Sequence, residues 1–414
     1  MKRIISVAVL AALVTTTFHC CAPKTADVST LPIKYVLSSD APSDSTDLKV
    51  QEDGTVLFSI PVGYIPKGGV VDFNVSVNTS PECSKYYVTE FRAGKTWYPG
   101  DIFMASGNGE HPSVVMQTFR MPEGIKDMLE IRFRPTGREK ADTSAREGLR
   151  PRMELKSKGY VGEYVQYFGE DLPKDTLNVL CIGNSFTYFS SAPSFLKEIA
   201  WNEGHFLRVK ASLKGGQTFG QHMGLPLSRY AMSVGKFDYA FLQDQSQAAA
   251  NFAKDSASFS YVNADFQRVV TNVVARSPKC HLVLEETWAY EASDFGGFGS
   301  MDEFDRLMAD GTSRLVRNAE LAFPGNTFEV SPIAQAFKMV RDGDSGIDLY
   351  TDDSKHQSIY GSYLKACVNY LMIFRKPFQS QPAEGATSSI DCGIPHDQAA
   401  YLRQVAERVV LGAR

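Results

Sequence analysis

The residues best suited to chemistry lie in the second half of the chain. Ser185 stands in Gly183-Asn184-Ser185-Phe186-Thr187, directly after the apolar run Leu177–Ile182. His356 follows Asp353 by three residues in Asp352-Asp353-Ser354-Lys355-His356. A serine hydroxyl is a poor nucleophile until a base removes its proton, and an imidazole titrating near neutrality suits that task. An aspartate beside the imidazole fixes its tautomer and steadies the imidazolium. A spacing of three lets Asp353 and His356 share one turn and face one hydroxyl; Asp352 is the alternative acid. Such a set performs acyl transfer, ester hydrolysis above all, and needs no metal and no organic cofactor.

These residues need elements to position them. From Thr176 onward, apolar runs of strand length alternate with segments of helical period. Strands are expected at Leu177–Gly183, Leu207–Leu213, Phe237–Leu242, His281–Leu284 and Thr327–Val330, and helices at Ser194–Gly204, around Phe266–Val274, and at Met301–Phe323, Gly361–Phe374 and Gln398–Val410. Strands alternating with helices imply a parallel sheet covered on both faces. Active sites in such sheets lie at the carboxyl ends of the strands. Small, amide, hydroxyl and acid–base residues stand at those ends: Gly183–Thr187, Lys214–Phe219, Gln243–Ser246 and Glu285–Tyr290. Before the junction the pattern differs. Val71, Phe73, Val75 and Val77 alternate with other residues, as do Leu129, Ile131 and Phe133. Period-two alternation between turn residues predicts antiparallel strands and an all-β sandwich over 32–170.

The second half resembles the SGNH/GDSL hydrolase superfamily. Gly-Asn-Ser resembles its first block, with Asn184 where aspartate is commoner. Gly216 matches the glycine of the second block, and Asp353-x-x-His356 matches the fifth. The set G-N-S-F-T, G-G-Q-T-F-x-x-H, L-Q-D-Q-S, E-T-W-A-Y and H-Q-S-x-x-G-S-Y-L looks like a branch found in Bacteroidetes lipoproteins. The resemblance spans about Thr176 to Arg414. It implies a flavodoxin-like, three-layer α/β/α hydrolase domain over 175–414, with Ser185, His356 and Asp353 as nucleophile, base and acid. It also implies an oxyanion hole from the backbone N–H groups of Ser185 and Gly216 and a side-chain amide. The third block usually reads G-x-N-D. Counting from the strand end puts Gln245 where the asparagine would stand, with Gln243 as the alternative. Trp288, Tyr290 and Asn184 are expected beside the substrate. Against that, the two aromatics could be core residues and Asn184 a brace between loops. His222 reads as a structural histidine.

The first residues read as an export signal. Lys2 and Arg3 precede the apolar run Ile4–Val14, which is shorter than the roughly 20 residues a membrane span needs. Cys20 and Cys21 follow, as at a lipoprotein processing site, with Phe18 in place of the usual leucine; Cys21 is the expected lipid carrier and Cys20 the alternative. The expected organisation is a signal peptide at 1–21, a tether at 22–31, the sandwich at 32–170 and the hydrolase domain from 175. The expected place is the periplasm or the outer surface. Cys83, Cys181, Cys280, Cys367 and Cys392 show no metal-ligand spacing, so a zinc site is not expected. A net charge of -4 without a basic run argues against a nucleic-acid partner. The expected substrate is an acylated glycan or another small ester. A lipase or lysophospholipase, and a glycan-binding lipoprotein with a relic fold, are the competing readings.

Overall fold

The computed structural model describes residues 172–379, 390–392 and 394–412 and, in the N-terminal half, 34–36, 47–51, 55–78, 85–105, 113–135, 154–155 and 164–167. The export signal, the tether, both candidate lipid-bearing cysteines and Cys83 lie outside the described residues.

The described N-terminal strands are β1 (Lys34–Val36), β2 (Asp47–Val50), β3 (Val56–Ile65), β4 (Val70–Asn78), β5 (Lys85–Ala93), β6 (Thr96–Ala105), β7 (Ser113–Arg120), β8 (Ile125–Pro135), β9 (Glu154–Leu155) and β10 (Tyr164–Tyr167). They form two sheets, one ordered β1-β10-β4-β7 with β9 beside β4, the other β2-β3-β8-β5-β6. Every pairing is antiparallel. The alternation along β8 does what its period predicts: Leu129, Ile131 and Phe133 are buried, while Met128 faces water. Phe91 of one sheet stacks on Phe119 of the other at 4.4 Å, and Phe133 meets Phe73 at 6.4 Å, so aromatic rings fill the space between the sheets.

The C-terminal half is a parallel sheet of β11 (Leu177–Gly183), β12 (Leu207–Leu213), β13 (Tyr239–Leu242), β14 (His281–Glu285) and β15 (Thr327–Ser331), ordered β12-β11-β13-β14-β15. That order is the flavodoxin-like one, and it places the topological switch between β11 and β13. β11 reads as a near-continuous apolar run because both its faces are covered. The helices are α1 (Ser185–Tyr188), α2 (Ala192–Asn202), α3 (Phe219–Gly224), α4 (Pro226–Val234), α5 (Ala248–Lys254), α6 (Ser260–Val274), α7 (Met301–Ala322), α8 (Ile333–Arg341), α9 (Ile359–Phe374) and α10 (His396–Leu411). One packed group comprises α2, α8, α9 and α10, and another α3 to α7. α9 starts two residues earlier than its apolar period indicates, because the Ser358 hydroxyl caps it by accepting from Gly361 N–H. α3 is too short to show a clear period in the sequence, and α8 is not among the expected helices although Ile333, Phe337 and Val340 recur along it at helical spacing.

The two halves share a buried contact. Asp72 of β4 pairs with Lys197 of α2 at 2.7 Å, and each side chain is 1% exposed. The Thr118 hydroxyl donates to the other Asp72 oxygen at 2.5 Å. Val70 packs with Trp201 and Phe206 beside that pair. No helix among the described residues is long and apolar enough to cross a membrane.

Candidate active site

The chain turns sharply at the end of β11. A side chain at Gly183 would meet the Thr187 hydroxyl at 2.7 Å and Gln243 Oε1 at 2.9 Å, so glycine is required there. Asn184 is extended, and its Oδ1 accepts from Phe186 N–H, capping the single turn of α1. Ser185 is the first residue of that turn, which presents its hydroxyl above the strand end. Asn184 is itself buried, and its amide nitrogen donates to Gln217 O at 3.0 Å and Asp244 O at 3.1 Å. It braces the loops after β12 and β13 and has no free hydrogen to offer a substrate.

His356 closes on Ser185 from the segment before α9. Its Nε2 lies 2.8 Å from Ser185 Oγ, and its Nδ1 lies 2.5 Å from Asp353 Oδ2. Asp353 Oδ1 accepts from His356 N–H at 2.8 Å, Lys355 N–H at 2.9 Å and the Thr351 hydroxyl at 2.9 Å. Burial pushes the Asp353 carboxyl up, but the His356 ring and the two N–H groups outweigh it and hold the group at about 2. The carboxylate is therefore charged throughout the neutral range, and it orients Nδ1–H toward itself. Nε2 is left as the acceptor for the serine proton. Burial draws the His356 pKa below its ordinary value, against the pull of Asp353. Phe189 stacks on the imidazole at 3.9 Å and Phe186 tilts against it at 4.9 Å. Asp352 is exposed and makes no bond to His356, so the geometry selects Asp353 between the two acids.

Three donors have no internal partner among the described residues: the N–H groups of Ser185 and Gly216 and the Gln245 side-chain amide, the last two on the loops that Asn184, next to Ser185, bonds through Gln217 O and Asp244 O. Gly216 has φ +68° and open space where a side chain would stand. The Gln245 oxygen accepts from Gln247 N–H at 2.9 Å, which leaves its amide nitrogen free. Gln243 differs. It is wholly buried; its oxygen accepts from Asn184 N–H and the Thr187 hydroxyl, both at 3.0 Å, and its amide nitrogen bonds Asp244 O. Of the two glutamines, Gln245 is the one whose amide nitrogen has no partner among the described residues, while Gln243 is wholly buried.

Trp288 does not line a substrate cleft. It is fully buried between Phe186, at 4.9 Å, and Phe337, at 4.0 Å, and its indole N–H donates to Lys355 O at 3.0 Å. Tyr290 is 5% exposed, and its hydroxyl bonds that of Ser246. Both aromatics are core residues behind the site. His222 is structural as well, bonded to Gly183 O at 3.0 Å and to the Ser228 hydroxyl at 2.8 Å, with burial drawing its pKa down to about 4.

Sequence reasoning passed over Asp244. Its Oδ1 accepts from Phe219 N–H at 2.7 Å and Gln245 N–H at 2.8 Å, tying the loop after β13 to the start of α3. Burial pushes its carboxyl up to about 7, against those two N–H groups. An acid between two glutamines at a strand end was the available signal.

No protein-family model and no curated protein matches the chain. Among solved structures, a DUF4886 family protein from Bacteroides uniformis is 18% identical, over 57% of this chain and 95% of that one, with a TM-score of 0.43. A family two carbohydrate esterase from Clostridium thermocellum, solved with cellohexaose, is 12% identical over 82% and 98%, with a TM-score of 0.36. An acetylxylan esterase variant from Geobacillus stearothermophilus is 14% identical over 50% and 97%, with a TM-score of 0.37. Likeness at this level decides nothing about activity, so the chemistry rests on the residues of the site. Among the described residues no group of three or more His, Cys, Asp and Glu side chains is placed to hold a metal ion. Cys181, Cys280, Cys367 and Cys392 are buried and form no disulfide with one another.

Proposed function

We propose that this chain is a serine esterase of the SGNH type that removes acyl groups, O-acetyl groups above all, from carbohydrates. The observation that carries the reading is the continuous path Ser185 Oγ–His356 Nε2 at 2.8 Å and His356 Nδ1–Asp353 Oδ2 at 2.5 Å, beside donors with no internal partner. In the proposed reaction, Ser185 Oγ attacks the ester carbonyl while its proton passes to His356 Nε2. The carbonyl oxygen becomes an oxyanion held by the N–H groups of Ser185 and Gly216 and the Gln245 amide. Collapse of this intermediate breaks the ester bond, and His356 returns the proton to the departing sugar oxygen. Water, deprotonated by the same histidine, then attacks the acyl-serine; the bond to Ser185 Oγ breaks, His356 returns the proton to that oxygen, and the acid is released.

A binding protein on a relic fold has no need of an aligned base and acid, and their alignment favours an enzyme. The carbohydrate preference is supported by the export signal read from the first residues and by the β domain ahead of the sheet. The corresponding location is that of a lipoprotein anchored through Cys21. The test is hydrolysis of a small aryl acetate, acetate release from acetylated glycans, and labelling by a fluorophosphonate. Wild type should do all three, and Ser185→Ala none, with its fold intact. Full activity in Ser185→Ala would sink the proposal.

A further inference from the structure

A single helical turn cannot satisfy its own carbonyls. The turn that carries Ser185 has them bound from below, by side chains of the segment that also carries His356. Gln357 Nε2 donates to Ser185 O and Phe189 O, both at 3.2 Å. The Ser362 hydroxyl donates to Phe189 O at 2.6 Å. Lys365 Nζ donates to Phe186 O at 2.9 Å, to the Thr187 hydroxyl at 3.0 Å and to Glu285 Oε2 at 2.7 Å. These use all three protons of the ammonium group. The other Glu285 oxygen accepts from Asn369 at 2.6 Å, and the Ser331 hydroxyl donates to Asn369 Oδ1 at 2.8 Å. Lys365 and Glu285 side chains are 1% and 2% exposed.

An ion pair this deep is costly to desolvate and would serve stability no better than well-packed apolar residues. What it supplies here is direction. Lys365 holds Phe186 O on the far side of Ser185. Through Thr187 and Gln243 Oε1 it also reaches Asn184 N–H on the near side. The peptide before Asn184 and the peptide after Phe186, one on each side of the serine, are thereby referred to one buried charge, and that charge stands on the helix that follows His356.

We propose that Lys365 and Glu285 are positioning residues that set the placement of the Ser185 hydroxyl and N–H relative to His356. The proposal rests on the esterase reading for its catalytic consequence, but not for its structural one.

The test uses Lys365→Met/Glu285→Gln, which removes both charges and leaves no unpaired buried ion, and Thr187→Val, which cuts the link to Gln243 with little change of volume. Amide hydrogen exchange over 184–189, Tm, and kcat and KM on an aryl acetate are measured for each in the full chain. Exchange should quicken at least tenfold in folded variants. A displacement of the order of 1 Å costs about 10²-fold in rate, so kcat should fall by about 10- to 100-fold with KM within twofold. If the double variant does not fold, Thr187→Val alone decides, with the same direction of change. Unchanged exchange and kcat in a folded variant overturn the proposal. Absence of hydrolysis by wild type counts against the esterase reading instead, and the exchange measurement then still tests the placement of the turn.

Discussion

At the scale of single residues, the site depends on which protons are where. Burial draws the His356 pKa below its ordinary value, so the base is already neutral at neutral pH. kcat/KM should rise with pH through a midpoint below about 6.5 and be flat by neutrality. Asp353→Asn removes the groups that pull this pKa upward and leaves the burial. The midpoint should move further down while the plateau drops by about 10⁴-fold, as expected for a histidine in the wrong tautomer. A midpoint above the ordinary histidine value in wild type would contradict the buried, neutral base. The two glutamines separate by partners. Gln245→Ala should lower kcat by about 10²–10³-fold with KM little changed, the size of one lost oxyanion donor. Gln243→Ala should show up first in Tm, because it strips Asn184 N–H and Thr187 of their acceptor. Equal Tm and a larger kcat loss in Gln243→Ala would exchange their roles. The Ser, the Asp-x-x-His and the glycines were legible because each is a local run after a strand or before a helix. The choice between the glutamines was not, since it turns on partners near Asn184, about sixty residues away.

At the scale of elements, the loop from Tyr350 to Ser358 carries Asp353 and His356, and its shape is held from outside. Ser354 has φ +58°, in the left-handed region that costs a non-glycine residue about 1–2 kcal/mol. Its carbonyl accepts from Glu291 N–H at 2.9 Å, and Trp288 N–H fixes the neighbouring Lys355 carbonyl at 3.0 Å. The segment after β14 is thus the mould for the segment before α9. Trp288→Phe should keep the stacking on Phe186 and Phe337 but lose the hydrogen bond. The expected result is a stability loss of about 1 kcal/mol together with a drop in kcat, measured by denaturant unfolding and aryl acetate hydrolysis. A stability loss with unchanged kcat would show that the loop holds its shape without Trp288. The sequence shows Trp288 and Tyr290 at a strand end, where substrate contact is a fair expectation. It does not show Phe337, which arrives from α8 and takes up the indole face. Burial of a large aromatic is decided by what packs on it, and that partner stands far along the chain on a helix whose place against the indole no local pattern shows.

At the scale of the whole molecule, the two halves were legible as different patterns, one of period two and one of alternating strand and helix. Their contact was not. In β4 the apolar residues Val71 and Phe73 point to the space between the sheets, and Asp72 between them reads as an ordinary outward polar residue. Its outward face instead meets α2, where Lys197 sits as the one cation facing it at bonding distance among the described residues. Because α2 begins just after the turn that carries Ser185, the β domain braces the element behind Ser185. A C-terminal half starting near Asp171 and folding alone would leave Trp201 and Phe206 uncovered. The ion pair allows a sharper test in the full chain. Asp72→Ala takes the carboxylate away from the buried Lys197 ammonium, and removal of one member of a buried pair typically costs about 3–5 kcal/mol. Asp72→Leu with Lys197→Met removes both charges and fills the space, so it should recover most of that loss. Denaturant unfolding of the three proteins measures it. If Asp72→Ala costs under about 1 kcal/mol, the pair is solvated in solution and the halves are not joined there. If the double variant is as unstable as the single one, the interface depends on the charges for its geometry, and activity on small esters should fall along with stability.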